Sequence, residues 1–376
     1  MTKTKNKTRL IVASSEHDSD MLYATRFFAP DPFIFLEQNG KRTLVLSDLE
    51  IDRGRKQATA DQILPYSKFE KEVQGSSAKA PAYEKVLAHF LTQKKVRSAL
   101  VPASFPLGFA RALESKNIRL QPTSDLFWPE REAKTETELR LLRKALEITE
   151  AGMKRGMDVL KRAKPGKGQK LQWSGAVLTS EILRAEIDSA VLRAGGLPAN
   201  TIVAGGDQAC DPHERGYGPL KANSLIIIDI FPRSAASGYY GDLTRTVVRG
   251  RASDAQRRLW ETVNAGQALA LKKMKPGVDG LKLHQEVKQF FTDQGYPTRV
   301  RGGRQTGFFH GTGHGLGLEI HEFPRFQKTI FKPGQVLTVE PGLYYPGLGG
   351  TRTEDVVAIT KRGVRMLSRC KNQLEL

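Results

Sequence analysis

From Leu139 the apolar residues Leu139, Leu142, Leu146, Met153, Met157 and Leu160 follow one another at gaps of 3, 4, 7, 4 and 3. That spacing lays one apolar face along a long helix, and it makes the two methionines core residues. Thr135 with Glu138 is a capping-box pattern at its start, and Pro165-Gly166 stops it. A second helix is expected from Thr179 to Arg193, closed by Gly195-Gly196. A third starts after Ser253 and stops before Pro276-Gly277, and a fourth runs from Gly280 to Asp293, closed by Gly295.

Before Thr135 the pattern changes. RLIVAS, FIFLE and RTLVLS are strand-type runs, the last two separated by the hairpin-like QNGKR. AYEKVLAHFLTQKK has a helical period, and SALVPASF reads as a further strand. Alternating strands and helices predict an α/β domain with a central sheet. A boundary falls between Pro129 and Lys134, dividing the chain into domains of residues 1–132 and 133–376. A length of 376 residues suits two domains, at most three.

Between and after the later helices lie strand-type segments that carry unusual polar residues. LIIIDIF places Asp229 at the end of an apolar run, and YYGDLTRTVV places Asp242 at the start of a β-branched one. Then come HGTGHGLGLEIHEFP and VLTVEPGLYYPGLGGTRTEDVV, from His310 to Val357. Three of the seven histidines fall between His310 and His321. His310 and His314 have the spacing of a helical zinc pair, but the glycines alternating with them argue against a helix and for backbone in close approach to something small. Singly, Asp229 and Asp242 read as turn residues. Glu340 and Glu354, inside apolar runs, are costly to bury unless paired or metal-bound. Asp229, Asp242, His314, Glu340 and Glu354 together offer an oxygen-rich donor set with one imidazole and no thiolate, suited to Mn²⁺ first, with Co²⁺, Fe²⁺ or Zn²⁺ as alternatives. Four carboxylates balance the charge of two divalent ions, and two such ions about 3.5–4 Å apart can activate a shared water for hydrolysis.

The blocks GDLTRT, HGTGHGLGLEIHE, VEPGLY and RTEDVV resemble, in this order, those of the pita-bread metallopeptidases: Xaa-Pro aminopeptidases, prolidases and methionine aminopeptidases. SDMLYATRFFAPDPFIFLEQNGKRTLVLSD more loosely resembles the N-terminal domain of the creatinase and prolidase group. The resemblance implies an α+β protein, with an N-terminal α/β creatinase-like domain followed by a C-terminal pita-bread catalytic domain of helices on antiparallel sheet. It implies dimers or tetramers. It assigns Asp229 to one metal, His314 and Glu340 to the other, and Asp242 and Glu354 to both. Glu340 would also be the general base. His213, in CDPHERG, matches a histidine that contacts substrate, and His321 one that stabilises the tetrahedral intermediate. His310 lines the pocket, and Arg352 orients the carboxylates.

Two features point to the proline branch: the domain before residue 133, and the pattern His321-Glu322-Phe323-Pro324. The expected reaction is hydrolysis of the peptide bond before proline by an Xaa-Pro aminopeptidase, with an Xaa-Pro dipeptidase (prolidase) as the alternative on the same site. Arg325, four after His321, matches a position that binds the free carboxylate of a dipeptide in some prolidases. Phe308, Phe309 or Tyr344 would hold the proline ring. Metal-free creatinase-like hydrolysis and a non-catalytic pita-bread binding module are the competing readings; both kinds of relative lose ligands that stand intact here. One departure from the family is Phe231-Pro232 after the first aspartate. Another is the thirteen-position gap from Asp229 to Asp242, which RSAASG lengthens, as a longer hairpin turn.

Composition is ordinary for a globular chain, at 39% hydrophobic and 26% charged. The net charge of +19 is not ordinary, but the lysines and arginines are spread along the chain without a basic block, so nucleic acid is not an expected partner. The expected partners are short proline-containing peptides. No apolar run approaches the roughly 20 residues that span a bilayer, so no membrane role is expected. The apolar run from Leu10 to Ala13 is too short for a signal-peptide core, and Cys210 and Cys370 are too few for a disulfide framework. A cytoplasmic protein is the expectation.

Overall fold

The computed structural model describes residues 8–123 and 126–376, which fall into two compact units divided between Pro129 and Glu130. The expected boundary at 132/133 lies three residues beyond that division, so Arg131 and Glu132 group with the second unit.

The first unit is built on a mixed sheet. β1 (Arg9–Ala13) is followed by α1 (Ser19–Thr25), then by the hairpin of β2 (Phe33–Gln38) and β3 (Lys41–Leu46). After α2 (Ile51–Gln57) and β4 (Gln62–Pro65) come α3 (Tyr66–Gln74) and α4 (Tyr83–Gln93). β5 (Ser98–Val101), α5 (Leu107–Glu114) and β6 (Arg119–Pro122) complete it. The sheet order is β4-β3-β2-β1-β5-β6. Asn39 and Gly40, both at positive φ, close the hairpin in the geometry that matches strand twist. Side chains alternate, and both faces are covered. Leu10, Val12, Ile34 and Leu36 pack with α4, while Ile11, Phe33, Phe35 and Leu44 pack with Met21 and Trp128.

The second unit has two similar layers of paired helices on antiparallel strands. α6 (Glu136–Arg162) begins with the expected reciprocal cap, Thr135 receiving the Glu138 N–H and Glu138 receiving that of Thr135. Its six stripe residues are all buried. α7 (Ser180–Arg193) packs against it closely. A Cβ on Gly152 would stand 2.7 Å from Val191 Cγ2, so only glycine permits the approach. This pair covers β7 (Ile202–Gly205), β8 (Leu225–Ile230) and β9 (Leu243–Val248), burying Ile226, Ile228 and Ile230 against Met153, Met157 and Ile187. α8 (Asp254–Lys273) and α9 (Gly280–Asp293) form the second pair. They bury Leu259, Val263, Val287 and Phe291 against Leu337, Val339 and Val357. Leu337, Val339 and Val357 belong to a five-stranded sheet of β10 (His314–Gly315), β11 (Glu322–Arg325), β12 (Val336–Val339), β15 (Asp355–Ile359) and β16 (Val364–Met366), with the hairpin of β13 (Gly342–Tyr345) and β14 (Gly349–Arg352) between β12 and β15 in sequence. No helix among the described residues is long and apolar enough to cross a membrane.

Candidate metal centre

A strand covered by helices on one face has only its other face free for chemistry. In β8 the residues at 226, 228 and 230 meet the helices, which turns Asp229 to the opposite side, in register with Ile202 and Thr244. Asp242 stands just before β9, Glu340 just after β12 and Glu354 just before β15. Strand ends from the two helix-backed layers thus converge, joined by Glu354 N–H donating to Thr244 O at 3.1 Å, while within the second layer Glu340 N–H donates to Thr312 O at 2.8 Å. The His310–His314 segment is irregular and strand-like, as its glycines require. A Cβ on Gly313 would come within 2.0 Å of Thr338 O.

These groups line one cavity of about 870 Å³. All ten predicted site residues border it: His213, Asp229, Asp242, His310, His314, His321, Arg325, Glu340, Arg352 and Glu354. Ligand atoms of Asp242, His314 and Glu354 lie within 4.8 Å of one another. His314 Nε2 is 3.6 Å from Asp242 Oδ2 and 3.3 Å from Glu340 Oε1. Its Nδ1 is 3.1 Å from Gly315 O, a pure acceptor, so Nδ1 carries the proton and Nε2 offers a lone pair to the carboxylates. Thr244 Oγ1 donates to Glu354 at 2.7 Å, and Arg352 Nη2 donates to Asp229 Oδ2 at 2.7 Å. The other oxygen, Asp229 Oδ1, is buried with no hydrogen-bond partner.

Burial dominates the electrostatics. It pushes Glu340 up to about 7, Arg352 opposing and Asp229 adding. Glu354 and Asp242 are raised well above the carboxylate range, by burial first and then by the neighbouring carboxylates. His314 and His310 are both driven down to about 3, by burial and then by His321 and Arg352 respectively, which keeps both imidazoles neutral. A bare imidazole nitrogen, an orphaned carboxylate oxygen and four crowded carboxyl groups form a set that is satisfied by cations, and their oxygen-rich character fits hard or borderline divalent metals. Asp229, Asp242, His314, Glu340 and Glu354 therefore fit a pair of divalent ions.

Several supporting contacts escaped the sequence reading. Tyr344 is fully buried; its hydroxyl receives Arg352 Nη1 at 2.9 Å and donates to His310 Nε2 at 2.8 Å. His310 Nδ1 points at Gly311 O, 2.8 Å away, so its free lone pair faces the phenol. His284 Nδ1 meets Thr312 Oγ1 at 2.9 Å, bracing the loop between His310 and His314. A polar tip on an aromatic in VEPGLYY was the available signal for Tyr344; nothing local marked His284.

One expectation needs correction, and one is met and extended. Of Phe308, Phe309 and Tyr344, only Phe309 borders the cavity, together with Phe231. Phe308 is buried in the α8–α9 core, and Tyr344 is held beneath the site by its hydroxyl. The RSAASG insertion does more than lengthen a hairpin. Arg233–Ser234 pairs antiparallel with Gly196–Leu197, and the turn returns through a hydrogen bond of 2.8 Å from Ser234 N–H to Tyr239 O. Tyr239 then ties it to α6 by donating to Glu138 at 2.8 Å.

An acid-rich donor set at the floor of an open cavity, on strands backed by two helix pairs, is that of a metal-dependent hydrolase. The sequence model of metallopeptidase family M24 matches residues 140–361, and the chain belongs to that family. It is 28% identical over 323 residues to the Xaa-Pro dipeptidase of Pyrococcus horikoshii, covering 84% of this chain and 86% of that one. It is 31% identical over 267 residues to the Xaa-Pro dipeptidase of Pyrococcus furiosus, covering 69% and 70%. The crystal structure of the X-Pro aminopeptidase of Thermotoga maritima superposes with a TM-score of 0.82 at 22% identity, over 99% of this chain and 98% of that one, and shares its fold.

Proposed function

We propose that this metallopeptidase is an Xaa-Pro dipeptidase working with two divalent ions, Mn²⁺ first among them. The aminopeptidase expectation yields to its alternative because the two Pyrococcus relatives, aligned over 84% and 69% of this chain, carry the name dipeptidase. The observation that carries the hydrolytic reading is the His314 lone pair facing Asp242 and Glu340 beside the orphaned Asp229 oxygen. Asp229, Asp242, His314, Glu340 and Glu354 would hold the ions. Bound there, the metals would supply an acidified water and a polarised carbonyl.

The remaining work falls to this chain's residues. Glu340 accepts the proton of the attacking water and returns it to the leaving nitrogen, a task suited to a buried carboxylate that faces His314 across the cavity floor. His321, exposed to the cavity, donates to the oxygen that gains charge as the amide carbon becomes tetrahedral. His213 orients the substrate. Arg325, exposed on the strand that His321 precedes, pairs with the free carboxylate of the proline residue. Arg352 holds Asp229 in place. The test is a panel of Xaa-Pro, Xaa-Pro-Yaa and Xaa-Ala peptides given to Mn²⁺-loaded protein. Release from Xaa-Pro alone supports the proposal. Equal release from Xaa-Pro-Yaa restores the aminopeptidase reading, and no release under any divalent metal overturns both.

A further inference from the structure

The motif His321-Glu322-Phe323-Pro324 sets a carboxylate beside a site histidine, yet that carboxylate takes no part in the cavity. Along β11 burial alternates: Glu322 and Pro324 are buried, Phe323 and Arg325 exposed. Glu322 turns away from the cavity into a cluster of charges. Its Oε2 receives Arg131 Nη2 at 2.8 Å, and its Oε1 receives Lys134 Nζ. The three side chains are 5%, 2% and 3% exposed for Arg131, Lys134 and Glu322, so solvent screens none of them. Lys134 Nζ also donates to Arg131 O at 2.6 Å, and Lys134 N–H donates to Gly334 O at 2.7 Å, which fixes the cluster to the loop before β12. The fit is close. A Cβ on Gly317 would stand 2.2 Å from Glu322 Oε1.

His321 has no comparable anchor. Its imidazole makes no hydrogen bond to a described residue and packs edge to face on the ring of His314, at a centroid distance of 4.4 Å. Its position is therefore set by its backbone, and the next residue on that backbone is the one the two buried cations grip. We propose that Arg131 and Lys134, by clamping Glu322, position His321 over the metal centre. Gly315 pairs with Glu322 in the same ladder that carries His314, so the clamp also fixes the separation of the two histidines. Glu322, Arg131 and Lys134 are positioning residues, and their effect on turnover rests on the role given to His321 above.

The experiment compares Glu322→Gln and the milder Lys134→Met, which keeps the Arg131–Glu322 pair, with the wild type, each also built into His321→Ala and His213→Ala backgrounds. A misplaced group costs on the order of 10²-fold in rate, so kcat should fall by about that factor in Glu322→Gln with KM and Mn²⁺ stoichiometry unchanged. The loss should vanish in the His321→Ala background and persist in His213→Ala, since only coupled positions fail to add. Amide hydrogen exchange over residues 316–325 should quicken in both variants while α6 and β8 stay protected, and it reads the clamp whether or not the protein turns over. Unchanged exchange in that segment, or an equal loss of kcat in all three backgrounds, overturns the proposal. Faster exchange in a protein whose wild type cleaves no peptide keeps the clamp and removes the assigned function instead.

Discussion

His314 Nε2 and Glu340 Oε1 face each other at 3.3 Å, and the imidazole brings no proton to that contact, because its own sits on Nδ1 against Gly315 O. Two lone pairs held at that distance repel unless a cation, or in its absence a proton on the raised Glu340 carboxyl, joins them. The peptide frame enforces the arrangement: His314 N–H donates to Thr338 Oγ1 at 3.0 Å, and Thr338 lies two residues before Glu340.

Metal-stripped protein should therefore show a distinctive dependence on pH. Glu340 rises from an ordinary 4.5 to about 7, so the folded state binds its proton more tightly than the unfolded chain does. The stability it contributes is present below the ordinary carboxylate range and is lost as pH rises through the folded value. His310 and His314, held near 3, act in the opposite sense and cost stability as pH falls below the usual histidine range. Subtracting the melting curve of Glu340→Gln leaves the contribution of Glu340 together with its coupling to Asp242 and Glu354. Wild-type Tm should fall relative to that variant between about pH 4.5 and 7 without metal. With saturating Mn²⁺ the fall should disappear, since the ions stabilise the ionised carboxylates. A parallel pair of metal-free curves contradicts the burial argument.

Arg352 is 3% exposed and reaches Asp229, Tyr344 and Pro212 O. Burial pulls its guanidinium down, but Tyr344, Asp229 and Glu340 outweigh that and hold it well above its ordinary value. Lysine keeps the charge but has no planar fork to span the three partners. Arg352→Lys should weaken Mn²⁺ binding or kcat by about 10–100-fold, as changes behind metal ligands do. Calorimetric titration with Mn²⁺ and steady-state rates would show it, and wild-type values in both would remove Arg352 from the account.

Tyr344→Phe takes away one hydroxyl and leaves two buried partners, Arg352 Nη1 and His310 Nε2, unsatisfied. Such a loss costs about 1–3 kcal/mol. Denaturant unfolding of metal-free protein should register it, with little change in substrate KM because Tyr344 does not border the cavity. A raised KM with unchanged stability would return Tyr344 to the substrate pocket.

Gly313→Ala puts a methyl group 2.0 Å from Thr338 O, a backbone atom that cannot move aside without shifting β12. Overpacking of this kind costs typically about 1–3 kcal/mol. Here the displacement falls between His314 and Glu340, so metal affinity should drop along with Tm. Wild-type metal affinity in a folded variant would show that the loop tolerates movement.

The elements best read in advance were those with long local patterns. The Thr135–Glu138 cap, the stripe ending at Leu160 and the closing glycines of α7 and α9 each lie within one helix, where spacing determines the face. Glu340 and Glu354 stood out because charge inside an apolar run has few explanations, whereas Asp229 and Asp242 read singly as turn residues. What stayed hidden depends on distant pairings. Phe308 and Phe309 are neighbours in sequence, yet one enters the α8–α9 core and the other borders the cavity, a choice made by the course of the loop backbone rather than by residue type. The same holds for Glu322, whose partners Arg131 and Lys134 lie 191 and 188 residues away. Short helices such as α1 and α2 carry too few turns for a period to emerge.

In the proposed reaction Glu340 moves the proton in a metal-dependent cleavage before proline. The direct measurement is proline release from an Xaa-Pro dipeptide by Mn²⁺-loaded wild type and Glu340→Gln, each with and without a chelator. The account predicts rapid release by wild type, abolition by chelator with recovery on adding Mn²⁺, and a residual rate lower by at least about 10² in Glu340→Gln, the lower end of what general acid–base catalysis contributes. Full activity in Glu340→Gln, or release that survives the chelator, would contradict it.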